Sequence, residues 1–126
     1  MLELIVKEYV PFVGKYNKTY DEKGRILIPD VLLDTLKERQ KIQEKRKVKI
    51  FYRVYKDSVP PYLELTDYFP LDKEVDFSLY RRAIFYTKSR ISVPPVVLRE
   101  VGIGNNGGII IKGLGNEIKI YGAEII

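Results

Sequence analysis

Cysteine, histidine and tryptophan are absent from this 126-residue chain, and methionine occurs once, at position 1. Without cysteine there is neither a disulfide nor thiolate chemistry. Without histidine, imidazole acid–base catalysis and the common nitrogen and sulfur metal sites are excluded as well. No stretch reaches the ~18 uninterrupted apolar residues that a membrane helix needs. The opening "MLELIVKEYVPFVGKY" is apolar but carries Glu3, Lys7 and Glu8, and it lacks the basic start and small-residue cleavage site of a signal peptide. Paired carboxylates remain, at Asp21–Glu22 and at Asp72, Glu74 and Asp76. They fall in a turn and an acidic connector, where a solvated surface explains them better than catalysis. The expectation is a soluble cytoplasmic protein that is not an enzyme and needs no cofactor, no metal and no small-molecule substrate.

What is present is a core and an uneven distribution of charge. Hydrophobic residues make up 45% of the chain, enough for one domain or for two very small units that share a core. The net charge is +5. Residues 15–56 hold 13 Lys/Arg against 6 Asp/Glu, residues 57–80 hold 1 against 6, and residues 81–126 hold 7 against 3. Two basic segments therefore flank an acidic one. Lysine and arginine held close to phosphates release condensed counterions, which drives binding to nucleic acid. The plainer alternative is a solvated basic surface.

The two basic segments also share a grammar. "YDEKGRILIPDVL", from Tyr20 to Leu32, is echoed by "YTKSRISVPPVVL", from Tyr86 to Leu98. Aligning Arg25 with Arg90, 65 residues later, pairs Ile26 with Ile91, Ile28 with Val93, Pro29 with Pro94, Leu32 with Val97 and Leu36 with Val101, without a gap. Each copy reads as a half-buried strand, a tight turn, a short β-branched strand, a proline that stops the ladder, a short helix and a hairpin. Val31, Leu32 and Leu36 are expected on the buried face of the first helix. The run from Lys37 to Lys47 reads as a charged helix extension or an exposed loop. Leu2 to Val10 reads as an extra strand whose Leu2, Leu4 and Val6 invite pairing with another copy.

The pattern "DEKGRILIP" followed by a short helix and a hairpin resembles the SpoVT/AbrB superfamily of swapped-hairpin DNA-binding domains. Two copies in one chain are similar to the MraZ family of bacterial regulators. "GLGNEIKIYGAE" likewise resembles the family's closing hairpin. The resemblance implies a mainly β fold with short helices, in which two tandem swapped-hairpin units build a double-split β-barrel. Residues 12–68 would form the first repeat, 69–80 an acidic linker and 81–124 the second repeat. It also implies a nucleoid-associated transcriptional regulator that binds repeated double-stranded DNA boxes in its own promoter as a homo-oligomeric ring. The chain departs from the family pattern at Tyr86 and Ser89, which stand where the first copy has Asp21 and Gly24. It departs again at Leu33 and Leu98, where the family commonly has an arginine.

Asp21 and Arg25, four residues apart across a turn, can face each other as a carboxylate and a guanidinium fork. The pair either closes the turn or aims Arg25 at DNA, and the resemblance favours the second reading. The candidate DNA-binding residues are Asp21, Lys23 and Arg25 at the first tip and Lys88 and Arg90 at the second. Arg81, Arg82 and Lys15 are flanking candidates for phosphate contact. Two alternatives share the fold: an antitoxin-type module, and a structural ring protein without a DNA role.

Overall fold

Strands form where β-branched and aromatic residues alternate with polar ones, and here they pair into two antiparallel sheets. The computed structural model describes residues 10–21, 23–41, 48–69, 74–85, 89–104 and 108–123. The elements are β1 (Lys15–Thr19), β2 (Arg25–Leu27), α1 (Asp30–Gln40), β3 (Phe51–Tyr55), β4 (Tyr62–Thr66), a 3-10 turn (Phe77–Leu79), β5 (Arg81–Arg82), β6 (Ile84–Phe85), β7 (Arg90–Ser92), α2 (Pro95–Glu100), β8 (Gly108–Leu114) and β9 (Glu117–Gly122). The fold is mainly β with short helices. Of the expected opening strand over Leu2 to Val10, only Val10 lies among the described residues.

The larger sheet runs in the order β1-β8-β9-β4-β3-β5, and the smaller in the order β2-β7-β6. Strands from before and after the 69–80 segment are interleaved in the larger sheet and pair with one another in the smaller. In the smaller sheet Arg25 pairs with Ser92, Ile26 with Ile91 and Leu27 with Arg90, so the ladder is centred on two residues 65 positions apart. The flanking hydrogen bonds obey the same offset. The N–H of Val93 donates to the Gly24 carbonyl at 2.9 Å, and that of Ile28 donates to the Ser89 carbonyl at 2.8 Å. The Tyr20–Ile26 bridge corresponds in the same way to the Phe85–Ile91 pair. The larger sheet is palindromic too: hairpin β3–β4 and hairpin β8–β9 meet along β4 and β9, and the short strands β5 and β1 flank them.

The expected double-split β-barrel does not close among the described residues. Edge strands β1 and β5 do not pair with one another, and the described residues form two open sheets. The strands of the smaller sheet are two or three residues long. Pro29 and Pro94, at the N-caps of α1 and α2, end the ladders of β2 and β7 before they can extend around the core.

The inner faces of both sheets and the helices share one core. Ile26 and Ile91 come from the smaller sheet, Leu63, Leu65, Ile111, Ile118 and Ile120 from the larger, and Leu32, Leu33, Leu36 and Leu98 from the helices, all fully buried. Burying such a side chain is worth about 1.5–3 kcal/mol. On α1 the buried face runs through Leu32, Leu33 and Leu36, while Val31 is exposed, which corrects the expected helical face. Leu33 and Leu98, where the resembled family commonly has arginine, are thus packed inside.

Candidate nucleic-acid interface

Asp21 organises the first tip. Its Oδ1 accepts hydrogen bonds from the N–H groups of Lys23 and Arg25, both at 3.0 Å, and its Oδ2 accepts from Nε of Arg25. The Asp21 carbonyl accepts from the N–H of Gly24 at 3.0 Å. Gly24 sits at φ +79°, and a Cβ there would lie 1.9 Å from the Val93 carbonyl oxygen. Only glycine meets both demands. Burial alone would raise the Asp21 carboxyl pKa, but the hydrogen bonds from the Arg25 backbone, the Arg25 guanidinium and the Lys23 backbone outweigh it and hold it below the usual value. The carboxylate therefore stays ionised and fixes the plane of the guanidinium.

The ladder geometry brings Arg90 to the same place. Alternation turns Ile26 and Ile91 into the core and leaves Arg25, Leu27, Arg90 and Ser92 on the outer face. Arg25 and Arg90 are then diagonal neighbours across the β2–β7 pair. A shallow cavity of about 180 Å³ lies between them, lined by Thr19, Tyr20, Asp21, Arg25, Leu27 and Arg90. Lys23 is exposed at the turn beside it. Two arginines, one gripped by a carboxylate, can receive the oxygens of an anion or a base edge.

No protein-family model and no curated protein matches this chain. The functional reading therefore rests on the residues and their geometry.

The other candidates divide. Arg81 and Arg82 are exposed on β5, at one edge of the larger sheet, and Lys15 is exposed on β1, at the other edge. Lys88 lies outside the described residues. The basic run from Lys37 contains one residue that is not a solvated cation at all. Arg39 is buried, with Nη2 2.8 Å from Oδ1 of Asp67 and Nε 3.1 Å from both carboxylate oxygens. Its Nη1 donates to the Val10 carbonyl at 2.8 Å, and its guanidinium lies over the Phe12 ring at 4.5 Å. Arg39 is a structural tie rather than part of a binding face.

Sequence reasoning also passed over the outer face of the larger sheet. A row of directly opposed residues crosses it from Arg53 through Glu64, Lys119 and Lys112 to Lys15. Beside that row, Tyr55 stacks on Tyr62 at 4.6 Å and Tyr62 meets Tyr121 at 5.6 Å. Lys119 lies over the Tyr62 ring at 4.4 Å and Lys112 over the Tyr121 ring at 5.2 Å. The alternating spacing of "YLELT" and "EIKIYG" was the signal that could have put these side chains on one surface.

Proposed function

We propose that the chain is a sequence-specific DNA-binding transcriptional regulator of the SpoVT/AbrB type, with the Arg25–Arg90 face as its contact surface. The observation that carries this reading is the Asp21-held Arg25 beside Arg90 on the outer face of a ladder centred between two like halves. A guanidinium held in plane loses less freedom on contacting a base than a loose one. A two-stranded antiparallel ribbon is also a shape that the major groove admits. Arg25 reads a guanine edge, while Arg90, which has no matching Asp and Gly at its own turn, contacts phosphate together with Lys23. Arg81, Arg82 and Lys15 add to the positive potential along the sheet edges. In this reading the two sequence repeats are swapped-hairpin units interleaved in one chain. As in the MraZ-like proteins that the chain resembles, several copies assemble and engage repeated boxes upstream of their own gene, on the nucleoid. Weak single contacts then gain from effective concentration.

The test is a titration of the protein against its own upstream DNA and against a scrambled sequence, at two salt concentrations. Arg25→Ala removes a bidentate base contact worth about 1–3 kcal/mol, a loss of roughly 5- to 150-fold per contact in preference for the operator. Arg90→Ala lowers affinity for both sequences and reduces the salt slope by about one unit. An Arg25→Ala protein that keeps the wild-type preference, while melting at the wild-type temperature, would make the Asp21–Arg25 pair a turn closure only.

A further inference from the structure

A second cavity, larger than the one between the arginines, lies on the far side of the core from them. It occupies about 710 Å³ over the outer face of the larger sheet, where β3, β4 and the β8–β9 turn meet the Glu74–Tyr80 segment. That size falls within the range of small-molecule sites.

Its floor holds Glu64. The residue is only 7% exposed, and its Oε1 has no hydrogen-bond partner. An unsatisfied oxygen on a buried carboxyl is costly, and native structures leave few of them without a reason. Burial, reinforced by the neighbouring Glu117 carboxyl, pushes the Glu64 pKa up to about 7, while Tyr80 and Arg53 act in the opposite direction. Of the two cations directly opposite Glu64 in the ladder, Arg53 lies over the rings of Tyr55 at 4.5 Å and Tyr80 at 5.7 Å. Lys119 is drawn to Tyr62 and lies 3.7 Å from Oε1 of Glu117. Glu74 and Asp76 line the opposite wall, so carboxyl groups outnumber cations around the cavity.

The walls are aromatic. Tyr55, Tyr68, Phe69 and Tyr80 all line the cavity, and Phe69 meets Tyr80 edge to face at 4.9 Å. Electron-rich ring faces together with carboxylates recognise an organic cation. A metal ion is a poor fit, because no three His, Cys, Asp or Glu side chains among the described residues are grouped to hold one. The open Oε1 asks for something further: a ligand that carries an N–H donor.

We propose that this cavity binds a small alkyl ammonium, a primary amine or diamine, whose N–H groups are donated to Glu64 and Glu117 while its methylene chain rests on the tyrosine and phenylalanine rings. The ligand supplies the hydrogen bond that Oε1 of Glu64 lacks and a positive charge beside the carboxylate. Binding then requires Glu64 to be ionised, so the ligand displaces a proton at low pH. With Glu64 titrating near 7, affinity rises about tenfold between roughly pH 6 and pH 8, a range over which the amine itself stays charged.

Titration calorimetry of the full chain with 1,4-diaminobutane, in the absence of DNA, tests this directly. The expected result is saturable binding near pH 8, about tenfold weaker near pH 6, and at least about tenfold weaker in Glu64→Gln. Tetramethylammonium, which has the charge but no N–H, should bind at least about tenfold less tightly than the diamine. Absence of saturable heat with the diamine would overturn the proposal. So would equal binding by a folded Glu64→Gln protein, or equal binding of tetramethylammonium. Should Glu64→Gln fail to fold, Glu117→Gln carries the same expectation. Since no DNA is present, the result is independent of the operator titration.

Discussion

Replacing Arg39 by methionine would expose how much of the fold depends on one buried ion pair. The Arg39 and Asp67 side chains are 0% and 1% exposed, and the guanidinium joins α1 to the end of β4. It also donates to Oδ1 of Asn116 from both Nη atoms at 3.2 Å, which reaches the β8–β9 turn. Methionine keeps much of the packing against Phe12 but leaves the Asp67 carboxylate in the interior with Nε2 of Gln40, at 3.3 Å, as a remaining donor. Breaking such a pair from one side costs about 3–5 kcal/mol, because the stranded charge keeps its full desolvation penalty. Lost hydrogen bonds to Val10 and Asn116 add about 1 kcal/mol each. For a chain of this size each kcal/mol moves the melting temperature by roughly 3–5 °C, so a loss of about 5–7 kcal/mol lowers it by about 15–35 °C. The double variant Arg39→Met, Asp67→Leu removes both charges, and most of the loss should return. Thermal and urea melts of the three proteins provide the test. A single variant within about 1 kcal/mol of wild type, or a double variant less stable than the single, would refute the reasoning.

Two further outcomes follow from the same geometry. Gly24→Ala places a Cβ 1.9 Å from the Val93 carbonyl oxygen at φ +79°, so it should lose about 3 kcal/mol in a urea melt, whereas Gly104→Ala, with nothing within 4 Å, should stay near neutral. Because the folded protein raises the Glu64 pKa from 4.5 to about 7, the native state holds that proton more tightly than the unfolded chain. Stability should therefore fall by about 3 kcal/mol as pH rises from roughly 4.5 to 7, and Glu64→Gln should flatten that slope; an unchanged slope in the variant would reject the assignment.

Much of the fold was legible because local chemistry and tertiary structure agree there. Arg25–Leu27 and Arg90–Ser92 are strands, each followed by a proline and a helix, as the shared grammar implies. The Asp21–Arg25 contact was legible for the same reason: both partners lie within one turn. What escaped depends on residues far apart in the chain. Arg39 reads as one cation in a basic run because its partners, Asp67 and Asn116, lie 28 and 77 residues away. Glu64 alternates as an outward-facing strand residue should, but the aromatic segment around Phe69 and Tyr80 roofs that outer face. Val31 and Leu33 flank the same helical stripe, and the direction from which the sheets approach decides which of them is buried. The barrel was carried over with the resemblance, and strand lengths of two or three residues do not close one.

The pairing of early strands with late ones has a consequence for how the protein is made. Among the described residues β1 pairs with β8, β2 with β7 and one edge of β4 with β9, so the first half emerges from the ribosome with three strand edges lacking partners. At about 5–20 residues per second, the interval between completing Thr66 and completing Gly122 is roughly 3–11 s. Closing ladders between distant strands adds further delay, since the entropy of the intervening loop is lost before any contact forms. Throughout that interval Leu63, Leu65 and Ile26 face water with the shape of a surface that expects a near-copy of itself. On a crowded polysome the nearest such copy is the first half of the neighbouring nascent chain. Slower translation across residues 67–122 lengthens the time in which a half could pair with its neighbour's rather than its own.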